Sequence, residues 1–139
     1  MSSSADATAS RTTASVLGFK PGQTVLELGY DDDVDLDLRD EMEDALDADL
    51  EGPDFQEIVD AVVLWWRDDD GDLGDVLVDS LTTLVEGGSV WLITPKAGRD
   101  GHVEPSEIQE SAELAGMRVT SPMNLAEDWT GTRLVARNH

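Results

Sequence analysis

Two aspartate-rich loops hold the residues best suited to chemistry: Tyr30-Asp31-Asp32-Asp33 and Arg67-Asp68-Asp69-Asp70-Gly71-Asp72. Clustered carboxylates bind hard cations, and a calcium loop needs oxygen ligands at positions 1, 3 and 5, glycine at 6 and glutamate at 12. With Gly71 as position 6, Asp68 and Asp70 fall at 3 and 5, but Trp66 stands at 1 and Leu77 at 12. Counted from Asp31, Leu36 and Met42 occupy positions 6 and 12. Neither is a calcium loop, so no dedicated metal site is expected; a looser divalent-cation response through both loops stays open. The chain has no cysteine, which removes thiolate nucleophiles, thiolate metal sites and disulfides. His102 is the only histidine before the terminal His139, too few for a zinc site built on two internal histidines. A general base also needs an orienting partner and a nucleophile, and none is visible for His102, so no catalytic residue is assigned.

A third polar loop, Pro95–Glu104, adds Lys96, Arg99 and His102. In open α/β sheets ligands gather outside the carboxyl ends of the strands. If the strands leading into the three loops are neighbours, Tyr30, Asp31, Arg67, Asp68, Thr94, Lys96 and His102 share one rim and could form a crevice for a small ligand or partner. The competing reading is that Arg67, Lys96 and Arg99 only offset nearby aspartates. Trp129, in Asp128-Trp129-Thr130-Gly131, reads as a loop tryptophan; such a ring is costly to expose and suits a partner anchor. Trp65, Trp66 and Trp91 lie inside apolar runs and read as core, with Trp65 and Trp66 on opposite faces of a strand.

The elements that must position these loops follow from apolar spacing. Val25–Leu28 reads as a buried strand closed by Gly29. Leu38, Met42, Ala45 and Leu46 then recur at helical spacing, predicting an amphipathic helix of about four turns over 35–51, ended by Gly52-Pro53. Its outer face would carry Asp40, Glu41, Glu43, Asp44 and Asp47, an acidic surface. Ile58–Trp66 reads as a central strand, 72–86 as a helix capped by Gly87-Gly88, and Ser89–Thr94 as a strand stopped by Pro95. Pro105 opens a helix that runs to Gly116. Met117–Thr120 and Thr132–Arg137 close the chain as two strands. The order βαβαβαββ predicts an α/β fold: a mostly parallel sheet with an antiparallel strand at its C-terminal end. Residues 1–15 are Ser/Thr/Ala-rich and expected to be a disordered tail, leaving 16–139 as one domain.

Charge bounds the partners. The 139 residues carry 31 acidic and nine basic side chains, a net charge of −22. Residues 31–79 hold 21 acids against two bases, Arg39 and Arg67, so nearly all of that charge sits in one stretch. Such a field repels nucleic acid and anionic membranes and attracts cations or basic proteins. There is no apolar run of spanning length and no signal-peptide layout at the N-terminus, so a cytoplasmic protein is expected, monomeric or weakly dimeric.

KPGQTVLELG resembles the first strand and motif I of class I S-adenosylmethionine-dependent methyltransferases, DAVVLWW resembles their fourth strand, and LVEGGSVWLITPK the approach to their fifth. AGMRV and TRLVAR resemble the closing antiparallel pair. The resemblance implies a Rossmann-like fold, shortened here. That family binds its cofactor over a glycine-rich turn and holds the ribose with an acid after the second strand. In this chain Asp31–Asp33 replace the glycines, and about 30 residues leave no room for the second and third strands. The whole chain is also similar to a family of small acidic actinobacterial proteins (domain of unknown function 3052), through ELGYDDD, VVLWWRDDDGDL, LITPKAGRDGHVEPSEI and DWTGTRL. The expectation is a non-catalytic adaptor or regulatory protein with no cofactor, presenting its acidic helix and loops to a basic protein. A degenerate methyltransferase or adenosine-ligand binder is the alternative.

Overall fold

The computed structural model describes residues 17–120 and 122–136; the expected disordered tail at 1–15 lies outside them. Three parallel strands form the centre: β1 (Val25–Leu28), β2 (Val59–Trp65) and β3 (Leu84–Pro95). β6 (Trp129–Ala136) runs antiparallel to β3, and β4 (Met117–Val119) and β5 (Met123–Asn124) line the far side of β6. The order is β1-β2-β3-β6-β4, with β6 the one reversed strand. This is the shortened, mostly parallel Rossmann-like sheet that the sequence predicts, with β5 as an unforeseen addition.

Both faces of the sheet are covered because its central strands are apolar on both sides. Val62, Leu64, Trp66, Val90 and Leu92 pack with α2 (Leu73–Leu81) and α3 (Pro105–Leu114). Val63, Trp65, Trp91 and Ile93 pack on the other face with α1 (Leu36–Leu46). Trp65 and Trp66 therefore do serve opposite cores.

Helix α1 is three turns long rather than four. Asp35 caps its start, its carboxylate accepting from Leu38 N at 2.8 Å. Asp47 ends it in a left-handed conformation (φ 55°), so Asp49 and Glu51 fall beyond the helix, while Asp44 in the last turn and Asp47 at the cap stand unfavourably at the negative end of its dipole. The chain then crosses to the free edge of β1. Glu27 N donates to Glu51 O (2.8 Å) and Glu51 N to Val25 O (2.9 Å), a one-residue parallel bridge. The next donor in that ladder would be residue 53, and Pro53 has no N–H. A second strand thus begins and stops at a single residue.

Helix α2 also ends early, at Leu81, and Gly87-Gly88 do not cap it. Thr82 Oγ1 bonds Asp79 O (2.7 Å) and Thr83 Oγ1 bonds Ser80 O (3.4 Å), local bonds that close a helix end. Val59 N donates to Thr83 O (2.7 Å) and draws Leu84 into strand pairing. Between the pairs Val59–Leu84 and Ala61–Ser89 the register slips, and Gly87-Gly88 lie in the resulting bulge. Pro95 is the last residue of β3, paired with Trp129, rather than a stop after it. Among the described residues no helix is long and apolar enough to cross a membrane.

Candidate functional site

The carboxyl ends of β1, β2 and β3 stand side by side, so the three loops do share a rim. They are packed on one another around Arg67. Its Nη1 donates to Gly29 O at 2.7 Å and to Trp65 O at 3.2 Å, tying the ends of β1 and β2 together. Its Nε donates to Asp33 Oδ2 at 3.1 Å, and its Nη2 pairs with the other oxygen of the same carboxylate. Asp70 accepts from the Arg67 backbone N–H (3.0 Å), closing the second loop on itself. The guanidinium lies over the ring of Trp129, 5.4 Å from its centroid, and the side chain is only 11% exposed.

Below the guanidinium the two strand ends are in direct contact. Gly29 has φ +79°, and a Cβ there would lie 2.1 Å from Trp65 O. Glycine stands here because the neighbouring strand end leaves no room for a side chain. The third loop closes the same way: Asp68 N donates to Gly101 O (2.9 Å), Lys96 N to Asp128 O (3.0 Å), and His102 Nδ1 lies 2.9 Å from Pro95 O. His102 Nε2 is also 3.3 Å from Glu104, which leaves the ring a loop fastener.

The other rim residues divide. Thr94 is buried and paired with Thr130 across the strands, while Asp31 is exposed and accepts from Asp32 N. Tyr30 is exposed, its ring under the Arg39 guanidinium at 4.8 Å. Trp129 departs from expectation: it begins strand β6, is 4% exposed, and packs edge-to-face on Trp65 with centroids 5.0 Å apart. A ring buried between Trp65 and Arg67 offers a partner no face. Beside it a cleft of about 270 Å³ is lined by Asp33, Arg99 and Asp128, with Arg99 paired to Asp128.

Sequence reasoning missed Glu27, Arg39 and Asp33. Glu27, 6% exposed, takes a two-point salt bridge from Arg39 (2.6 and 2.9 Å) and the indole N–H of Trp65 (2.9 Å). A lone acid inside VLEL and a lone base inside an acidic helix were the available signals. The hydrogen bonds to Glu27 raise the Arg39 pKa above its ordinary value. The hydrogen bond from Arg67 holds the Asp33 carboxyl below its ordinary value.

The acidic surface is the outer side of α1. Asp40, Asp44 and Asp47 are exposed, and with Glu41 and Glu43 they line an open groove of about 570 Å³. Glu43 turns in to accept from Leu50 N (3.0 Å), and Glu41 is partly buried, which raises its pKa by desolvation, with Asp35 and Asp37 adding to the shift. Among the described residues no group of three or more histidines or carboxylates is placed to hold a metal ion.

The fold implies S-adenosylmethionine, and the residues present do not fit it. Arg67 fills the space between the ends of β1 and β2, and three aspartates stand where backbone must approach the ligand. The acid on the outer edge of β1, Glu51, sits level with Leu26, well below the rim.

Comparison with solved structures shows the same fold at low identity. The pyocyanin biosynthetic protein PhzM aligns with TM-score 0.58 at 15% identity, over 84% of this chain and 51% of its own, so this chain spans about half of it. The precorrin-6y C5,15-methyltransferase of Geobacter metallireducens aligns at 0.62 with 10% identity, over 93% and 86% of the two chains. The CcbJ methyltransferase of Streptomyces caelestis aligns at 0.60 with 12% identity, over 92% and 89%. Much closer in sequence are uncharacterized proteins of Mycobacterium bovis and Mycobacterium tuberculosis, each 46% identical over 119 residues, covering 86% of this chain and 75% of the relative. Residues 14–138 match a family model, and the chain belongs to that family, described as Protein of unknown function (DUF3052).

Proposed function

We propose that this domain is a non-catalytic cytoplasmic adaptor or regulatory protein, which presents the acidic face of α1 and the adjoining loops to a basic protein partner. The observation that carries the reading is Arg67. The position at which a fold of this kind takes ligands is occupied by the chain's own guanidinium, bonded to both strand ends and stacked on Trp129. Away from this closed rim, the α1 groove gathers six carboxylates on the capped helix and the turn that follows it. Arg39, the single base of α1, is turned into the Glu27 salt bridge and does not neutralise the face. A surface of this kind steers cationic partners and binds them with strong salt dependence.

The test is affinity capture from the native cytoplasm with wild type and with the variant Asp40→Asn/Asp44→Asn/Asp47→Asn. The reading expects one saturable partner, released by moderate salt and lost in the variant. No saturable partner, or equal capture by both proteins, would overturn it.

A further inference from the structure

The amino ends of the strands, opposite the closed rim, hold a hollow of about 260 Å³. Its floor is low because the paired residues Ala61 and Ser89 are small, on the same face as Trp91 and Arg133. The turn Leu17-Gly18-Phe19 walls it on one side, pinned by the Trp91 indole N–H donating to Leu17 O at 3.0 Å. The bulge at Gly87-Gly88 walls it on another. Gly88 is confined there, since a Cβ would lie 2.8 Å from Asp60 O.

Three of the polar side chains in this hollow, Arg133, Ser89 and Gln23, have donors with no partner among the described residues. Arg39, Arg67 and Arg99 each pair with a carboxylate, whereas Arg133 pairs with none among the described residues. Ser89 is 9% exposed, lines the hollow, and its hydroxyl has no hydrogen-bond partner among the described residues. Gln23 uses its carbonyl oxygen to accept from Lys20 N (3.0 Å), which leaves its amide N–H groups free. Asp60 also borders the hollow, but its Oδ2 is engaged by Thr24 N at 2.8 Å.

We infer that this hollow is a binding site for a small oxyanion, a phosphate or carboxylate group, held by the Arg133 guanidinium, the Ser89 hydroxyl and the Gln23 amide. Ser89 and the exposed Arg133 both line the hollow, and an anionic acceptor there gains charge-assisted hydrogen bonds that water alone does not supply. The site lies at the other end of the sheet from the Arg67 latch and does not depend on the adaptor reading.

Thermal unfolding of the full chain is followed with sodium phosphate or sodium malonate against sodium chloride at matched ionic strength. At about ten times the dissociation constant, the bound anion raises Tm by about 4 °C over chloride. Arg133→Met and Ser89→Ala abolish that excess, while Arg118→Met, on an exposed edge strand, keeps it. Asp60→Asn enlarges it. The stronger of the two anions identifies phosphate or carboxylate as the ligand class. Amide shifts on titration locate the ion, and the inference requires them at Gln23, Gly87, Gly88 and Ser89. No excess over chloride, an excess that survives Arg133→Met, or amide shifts confined to other residues would overturn it.

Discussion

Replacing Arg67 by methionine keeps much of the side chain's length and removes its charge and donors. Three losses can be sized. Gly29 O and Trp65 O lose a charged donor, the first bond exposed and the second part-buried, a loss of about 1 kcal/mol since water replaces part of it. The guanidinium–Trp129 contact is worth about 0.5–1 kcal/mol. The Asp33 side chain is 54% exposed and regains water, so that ion pair adds no more than about 1 kcal/mol. The sum is about 2 kcal/mol, a fall in Tm of about 7 °C for a domain of this size. Urea unfolding followed by tryptophan fluorescence measures it, because Trp65 and Trp129 lie beneath the latch. The carbonyl bonds join a charge to neutral acceptors at short range, which salt screens little, so most of the loss persists at high salt. A loss below about 1 kcal/mol, or one that salt erases, would refute the claim that Arg67 fastens the two strand ends.

Arg39→Met strands the buried Glu27 charge and is expected to cost about 3–5 kcal/mol, whereas Glu27→Met/Arg39→Met recovers much of that; equal costs for single and double variants would contradict a buried pair. Gly29→Ala forces a Cβ against Trp65 O at positive φ, and expression with cooperative melting near wild type would show that the strand ends can separate cheaply. Neutralising Asp40, Asp44 and Asp47 together removes like-charge neighbours one turn apart along α1 and its C-cap and raises stability by about 0.5–1 kcal/mol at low salt, less at high salt. Glu41 has a raised pKa in the folded state, so its charged form opposes folding above that pKa, and the penalty disappears as pH falls through it. Glu41→Gln therefore stabilises at neutral pH and is neutral in acid. Asp33 has the opposite sign: its lowered pKa supports folding above the ordinary carboxylate range and is lost as pH falls, so Asp33→Asn flattens the acid limb of the stability profile.

The sheet was legible because β2 and β3 are apolar on both faces, a pattern that only a covered central strand satisfies. The ends of elements were less so. Leu84 and Val85 continue the apolar spacing of α2, and the threonine hydroxyls that terminate the helix become decisive only when Val59 N reaches Thr83 O. Trp129 looked like a loop residue because Gly131, two positions later, suggests a turn. Gly131 is instead a close-packing position in β6, where a Cβ would lie 2.2 Å from Leu125. Arg67 was named from its place after the central strand, but its role depends on partners 34 and 38 residues away, Asp33 and Gly29. Spacing along the chain does not carry that information. The acidic helix could be read directly, since its charge is local; the Glu27–Arg39 pair could not, since an acid in a strand and a base in a helix become partners only when α1 packs on β1.

Isothermal titration of the wild-type chain with S-adenosylmethionine and S-adenosylhomocysteine addresses the closed rim most directly. With Arg67 filling the space between β1 and β2, no saturable heat is predicted at millimolar ligand. Micromolar binding, with protection of the amides at Gly29 and Arg67, would contradict the account.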